Sequence, residues 1–356
     1  MKSCITRLIA ALKENEVDAA MITQEKNQRY FSGFTGSDSV LLIHPDANYL
    51  ITDFRYIEQA KIQCPDFQII DASGPKRVPF IKETFISLGV EQIWFEEDTV
   101  NYREFTSLTE SLHPLKLIPD NSVPTKLRIL KTENEVNNIR KAASLADKGF
   151  LHIQKYIRSG VTEKEIALEL EFFLRKNGSE GLAFPIIAGS GKNGALPHAE
   201  PSDKKLVEGE FLTLDFGCII GGYCSDMTRT VALGEPSKQL REIYQITLEA
   251  HEKALKVLAP GITGIYADKQ ARDHIHSKGY GDYFGHGLGH GVGLNVHEAP
   301  SLSPRGETIL EPWMIVTVEP GIYIPDVGGV RIEDLVVITE NGYDDLVSSR
   351  KELIIL

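Results

Sequence analysis

Five residues of this 356-residue sequence have types and spacing that suit a metal centre: Asp215, Asp226, His290, Glu319 and Glu333. Phe211-Leu212-Thr213-Leu214-Asp215-Phe216-Gly217 reads as a strand, Gly221-Gly222 as a turn, and the stretch from Tyr223 to Val231 as the returning strand. Any even-numbered loop puts Asp215 and Asp226 on one face. With Gly221-Gly222 alone as the loop, Asp215 faces Thr228 and Asp226 is its diagonal neighbour; a four-residue loop sets the two aspartates directly opposite. Aspartate is depleted in strands, so two on one face call for a compensating partner, and a cation is the simplest one. A solvated sheet face accommodates this hairpin equally well when it is considered alone.

Met314-Ile315-Val316-Thr317-Val318-Glu319 is a second strand ending in a carboxylate, and Val330-Arg331-Ile332-Glu333-Asp334 returns after a turn at Pro325-Asp326-Val327-Gly328-Gly329. Glu319 and Glu333 are symmetric about Asp326, so an odd-numbered loop brings them face to face, where they repel unless a positive group lies between them. A metal or Arg331 would serve; in isolation the hairpin is better explained by a salt bridge of either glutamate with Arg331. Between the hairpins, Gly285-His286-Gly287-Leu288-Gly289-His290-Gly291-Val292-Gly293 sets two imidazoles in a backbone nearly free of side chains, which permits close approach to a crowded site. His290 is the ligand candidate; His286 and His297 are placed to contact substrate. Three competing motifs fail: position 290 breaks G-x-G-x-x-G, His297-Glu298-Ala299-Pro300-Ser301 is not H-E-x-x-H, and Gly189-Ser190-Gly191-Lys192-Asn193 lacks the residues of a P-loop. His44, His113, His152, His251, His274 and His276 read as structural.

In this order the five residues, with Val318-Glu319-Pro320-Gly321-Ile322-Tyr323 and Gly329-Val330-Arg331-Ile332-Glu333-Asp334, resemble the M24 metallopeptidases, and among them the Xaa-Pro dipeptidases (prolidases) and aminopeptidase P. The resemblance covers the whole chain. It implies an α+β protein, with a C-terminal pita-bread (creatinase/aminopeptidase) fold preceded by a smaller α/β creatinase-like N-terminal domain. It implies a hydrolase that releases the N-terminal residue from peptides with proline at the second position. Two divalent metals would be held by Asp215, Asp226, His290, Glu319 and Glu333, with Asp226 and Glu333 serving both. The hard, oxygen-rich shell puts Mn²⁺ first, with Co²⁺, Fe²⁺ or Zn²⁺ as options. By the same resemblance Glu319, His198 and His297 are catalytic, Glu319 as ligand and proton shuttle, and His198, His286, His297, Tyr323 and Arg331 bind substrate. A homodimer is also implied.

A bond preceding proline is a tertiary amide without an N–H, so the site must polarise the carbonyl and help the ring nitrogen leave. One departure from the prolidase pattern concerns substrate length. Prolidases often carry an arginine shortly after the position of His297, whereas this chain has Ser301 there, with Arg305 further on. Dipeptidase and aminopeptidase P both remain open. Two more distant readings are a methionine aminopeptidase-like hydrolase and a non-catalytic peptide-binding relative, against which the complete ligand set and the first domain argue.

The length exceeds that at which single cores stop growing, so the chain is expected to form two domains, residues 1–124 and 125–356. The expected boundary is the turn-rich Ile118-Pro119-Asp120-Asn121-Ser122-Val123-Pro124. Before it, runs such as Ser39-Val40-Leu41-Leu42-Ile43, Tyr49-Leu50-Ile51-Thr52 and Gln92-Ile93-Trp94-Phe95 alternate with helical stretches. After it, capping boxes at Thr132-Glu133-Asn134-Glu135 and Thr162-Glu163-Lys164-Glu165 open two helices. The opening segment from Met1 has Ile5, Leu8, Ile9 and Leu12 on one helix face and is interrupted by Arg7, unlike a signal peptide. A net charge of -12 argues against nucleic acid, no run suits a membrane span, and four irregularly spaced cysteines fit a reducing cytoplasm.

Overall fold

The computed structural model describes residues 2–120 and 122–356, with side chains from Cys4 onward; Met1 of the opening segment and Asn121 of the expected boundary lie outside the described residues. The chain divides into two compact units, Met1–Arg128 and Ile129–Leu356. The proline-rich segment read as a boundary is the end of a strand followed by a helix, Ser122–Ile129.

In the first unit the strands are β1 (Ala19–Ile22), β2 (Val40–His44), β3 (Ala47–Thr52), β4 (Gln68–Asp71), β5 (Gln92–Phe95) and β6 (Lys116–Pro119). They form one mixed sheet in the order β4-β3-β2-β1-β5-β6. Alternate residues point to opposite faces, so Ala20, Ile22, Leu41 and Ile43 enter one apolar core while Ala19, Met21, Val40 and Leu42 enter another. A sheet covered on both faces explains why these strands read as continuous apolar runs. The opening helix Lys2–Glu14 buries Ile5, Leu8 and Leu12 in the first of these cores, as its spacing predicted.

The second unit contains β7 (Ile187–Ser190), β8 (Phe211–Phe216), β9 (Ile219–Ile220), β10 (Tyr223–Cys224), β11 (Met227–Ala232), β12 (Gly289–Gly291), β13 (Glu298–Leu302), β14 (Ile315–Val318), β15 (Gly321–Ile324), β16 (Gly328–Arg331), β17 (Asp334–Thr339) and β18 (Gly342–Asp345). Strands β11-β8-β7 and β13-β12-β14-β17-β18 form the two larger sheets. Helices Glu133–Ile153 and Glu163–Lys176 pack on one core, whereas Lys238–Val257 and Gly264–Ser277 pack on another. Both predicted capping boxes are present: Thr132 and Thr162 each accept from the backbone N–H three residues on, and Glu135 and Glu165 reach back. No helix among the described residues is long and apolar enough to cross a membrane.

Candidate metal centre

Each acidic pair is positioned by a hairpin whose ladder breaks at one or both of its carboxylates. Ladder β8/β11 pairs Asp215 with Thr228, and the short ladder β9/β10 continues the same register around Gly221 and Gly222, both at positive φ. The two-residue loop is therefore the one adopted, and Asp226 is the diagonal neighbour of Asp215, in the gap between the ladders. Gly217 faces it across that gap, where a Cβ would meet the Ser225 carbonyl at 1.9 Å, so only glycine fits. The second pair follows the same plan. Val318 pairs with Asp334 and Gly321 with Arg331 in one continuous register, leaving Glu319 and Glu333 at the break between the ladders. At such a break the side chains project from two strand ends toward one point.

Asp215, Asp226, His290, Glu319 and Glu333 all line one cavity of about 610 Å³. Oxygens of Asp226 and Glu333 and a ring nitrogen of His290 lie within 4.8 Å of one another. His290 Nε2 is 3.2 Å from Glu319 and 3.6 Å from Asp226. The His290 Nδ1 is 3.1 Å from the Gly291 carbonyl, which can only accept, so Nδ1 carries a proton and Nε2 faces the carboxylates. Two threonines absent from the sequence-based site set the carboxylate angles. Thr228 donates to Glu333 at 2.7 Å and accepts from Arg331, while Thr317 donates to Glu319 at 3.1 Å and accepts from the His290 backbone N–H. The register already placed Thr228 opposite Asp215; Thr317 carried no comparable signal.

Arg331 forms its ion pair with Asp215, at 2.5 Å, rather than with either glutamate of its own hairpin. It also donates to the Tyr323 hydroxyl and the Pro197 carbonyl. Tyr323 stands behind His286, whose Nε2 is 2.9 Å from the hydroxyl. His198, His286 and His297 reach the cavity, and the His297 ring packs against His290 with centroids 4.3 Å apart. Walls that sequence reading did not supply come from Phe184 to Ile187 and from Pro197, Ala199, Glu200 and Pro201 around His198.

Four carboxylates here face one buried guanidinium, and Asp215 Oδ1 and Glu333 Oε1 are buried without a hydrogen-bond partner. Orphaned carboxylate oxygens on such an acidic cluster fit divalent cations, which supply the missing positive charge and coordination. Without metal, burial and then the neighbouring carboxylates push Asp226 and Glu333 well above the ordinary range. Burial alone would raise Glu319 too, but the His290 imidazole and other positive neighbours hold it at about 2. His290 is correspondingly raised against its burial, chiefly by Glu319.

These shifts predict how pH acts on the metal-free protein. The raised carboxyls contribute stability that is fully present below about pH 4 and lost as pH rises through their elevated values. His290, also raised, contributes stability lost on the same alkaline side. Glu319, held low, contributes stability above its ordinary range that is lost only as pH falls toward about 2. Chelator-stripped protein should therefore melt at lower temperature at pH 8 than at pH 5.5. Metal keeps its ligands deprotonated, so the loaded-minus-stripped difference in melting temperature should widen with pH. A difference that shrinks as pH rises would contradict this electrostatic account.

A family model described as metallopeptidase family M24 matches residues 137–340, and one described as the creatinase/prolidase N-terminal domain matches residues 5–130. The chain belongs to metallopeptidase family M24. The larger unit of this M24 peptidase is thus the expected pita-bread fold and the smaller one the creatinase-type domain. A solved Xaa-Pro dipeptidase from Bacillus anthracis is 46% identical, with a TM-score of 0.97 over 100% of this chain and 99% of that one. An X-Pro aminopeptidase from Thermotoga maritima is 39% identical, with a TM-score of 0.92 over 99% of each. An Xaa-Pro dipeptidase of Pyrococcus furiosus is 38% identical over 99% of this chain and 100% of its own length.

Proposed function

We propose that this M24 peptidase hydrolyses the bond between an N-terminal residue and a following proline, using two divalent metal ions held by Asp215, Asp226, His290, Glu319 and Glu333. The observation that carries the reading is the convergence of all five on one cavity, with buried carboxylate oxygens left unpaired. Full-length similarity to an Xaa-Pro dipeptidase and an X-Pro aminopeptidase supports the proline requirement. It also weighs against a methionine aminopeptidase, as does the creatinase-type domain. The metals would supply an activated water and polarise the scissile carbonyl. Glu319 accepts the proton of the attacking water and returns it to the proline nitrogen as the C–N bond breaks. His198 and His297 orient the carbonyl and stabilise the developing negative charge, while Arg331 holds Asp215 and, through Tyr323, His286. Manganese remains the first choice of metal on donor hardness. Four buried cysteines, none of them in a disulfide among the described residues, support a cytoplasmic location, and the family resemblance supports a homodimer.

For substrate length, Arg305 is the informative residue. It lines the cavity beside Ser301 and Ser303, is exposed, and makes no ion pair among the described residues. It is the group available to meet the carboxylate of a dipeptide. Purified enzyme reconstituted with Mn²⁺ and given Ala-Pro and Ala-Pro-Ala decides the matter. If Arg305 anchors a dipeptide, Arg305→Ala raises KM for Ala-Pro on the order of tenfold and leaves Ala-Pro-Ala nearly unaffected. Activity confined to Ala-Pro marks a dipeptidase, whereas clear cleavage of Ala-Pro-Ala, insensitive to Arg305, marks an aminopeptidase P. Failure to cleave either peptide would sink the proposed function.

A further inference from the structure

The strands hold the segment from Phe284 to Gly289 only at its last residue, where Gly289 pairs with Leu302. Three of its six residues are glycines, which lose the most conformational freedom on ordering. Gly289 is needed for close approach, since a Cβ there would meet the Thr317 carbonyl at 2.1 Å, and one on Gly287 would crowd Ser303 at 3.0 Å. Gly285 has open space around its Cβ position, so packing does not restrain it. Yet this segment carries His286 and leads directly into His290.

We propose that Asp268 and Arg272, one turn apart on helix Gly264–Ser277, form a positioning clamp that holds this glycine-rich segment in its working geometry. The proposal rests on the functional reading above. Arg272 donates to the Phe284 carbonyl at 3.0 Å and to the His286 carbonyl at 2.7 Å, gripping the backbone on both sides of Gly285. Its guanidinium lies over the Phe284 ring, 4.3 Å from the centroid, and that ring packs edge-on against the His286 imidazole. Asp268 receives two donors from Arg272, each at 2.7 Å, and accepts the Leu288 backbone N–H at 3.0 Å. The Leu288 carbonyl in turn accepts from the Glu319 backbone N–H at 2.8 Å. One buried carboxylate and one planar fork thus fix, through main-chain atoms, the segment that supplies His286, His290 and a backbone support of Glu319. Neither side chain lines the cavity, so both act through other residues.

A lysine at 272 keeps the charge pair with Asp268 but has no rigid fork to span two carbonyls and a carboxylate at once. The Arg272 side chain is 29% exposed, so the substitution should fold. For Arg272→Lys the expected results are a melting temperature within roughly 4 °C of wild type and unchanged metal content. Amide hydrogen exchange should be faster at 284–289 alone, and kcat on Ala-Pro should fall on the order of tenfold. Asp268→Asn, which frees the Leu288 N–H to a weaker acceptor, should accelerate exchange in the same segment. Wild-type exchange at 284–289 in both variants overturns the clamp. So does a kcat loss that tracks lost metal or lost folded protein, because the pair would then be merely structural. Exchange and metal content need no substrate. They judge the clamp even if wild-type enzyme cleaves no Xaa-Pro peptide, the result that would instead refute the functional reading.

Discussion

Glu333→Ala should lose bound metal and reduce turnover roughly a thousandfold or more, while leaving the metal-free protein no less able to fold. In the metal-free state Glu333 is a buried carboxyl beside Glu319 and Asp215, both of which oppose its ionisation. Removing it relieves repulsion, and the loss is confined to the loaded state. The diagnostic is the metal-dependent rise in melting temperature. Wild-type protein gains about 2.7 kcal/mol of stability when free metal is about 100 times Kd, whereas the variant should gain almost nothing. Glu333→Gln keeps the volume and can still accept from Thr228, which separates lost ligation from lost packing. Near-normal turnover, or an undiminished thermal shift with Mn²⁺, in both variants would remove Glu333 from the ligand set.

The second large effect is expected at Glu319. Its hydrogen-bonded neighbours, His290 and Thr317, hold the side chain at the cavity wall, and the carboxyl stays ionised down to about pH 2 in the metal-free state. Glu319→Gln preserves shape and one oxygen donor but cannot take up a proton. Turnover should fall by about 10² to 10⁴, the usual contribution of a general acid–base group, while metal content falls much less than in Glu333→Ala. The contrast between the two variants is the test. If Glu319→Gln retains turnover within tenfold of wild type, the proton is carried by another group, and His297, which also lines the cavity, is the next to substitute.

Much of this centre was legible before any coordinates. Hairpin parity put Asp215 on one face with Asp226, and Glu319 with Glu333, because side-chain direction alternates strictly along a strand and only the even or odd length of each loop matters. The order of the five residues then pointed to one family and one cofactor class. Capping boxes and the apolar face of the first helix were readable for the same reason: they are local, written in residues three or four apart. What the sequence could not determine is long-range. Taken alone, the second hairpin favoured a salt bridge of Arg331 with one of its own glutamates, whereas the fold delivers Arg331 to Asp215, 116 positions away. Thr228 meets Glu333 across 105 positions, and the clamp residues on helix Gly264–Ser277 grip a backbone that they recognise by shape alone. Such contacts leave no period and no motif, since a carbonyl accepts from any donor that packing brings to it. The residue types and the shared face of each acidic pair were determined by sequence; the tertiary structure decided the loop that sets their register and which polar groups hold the candidate ligands still.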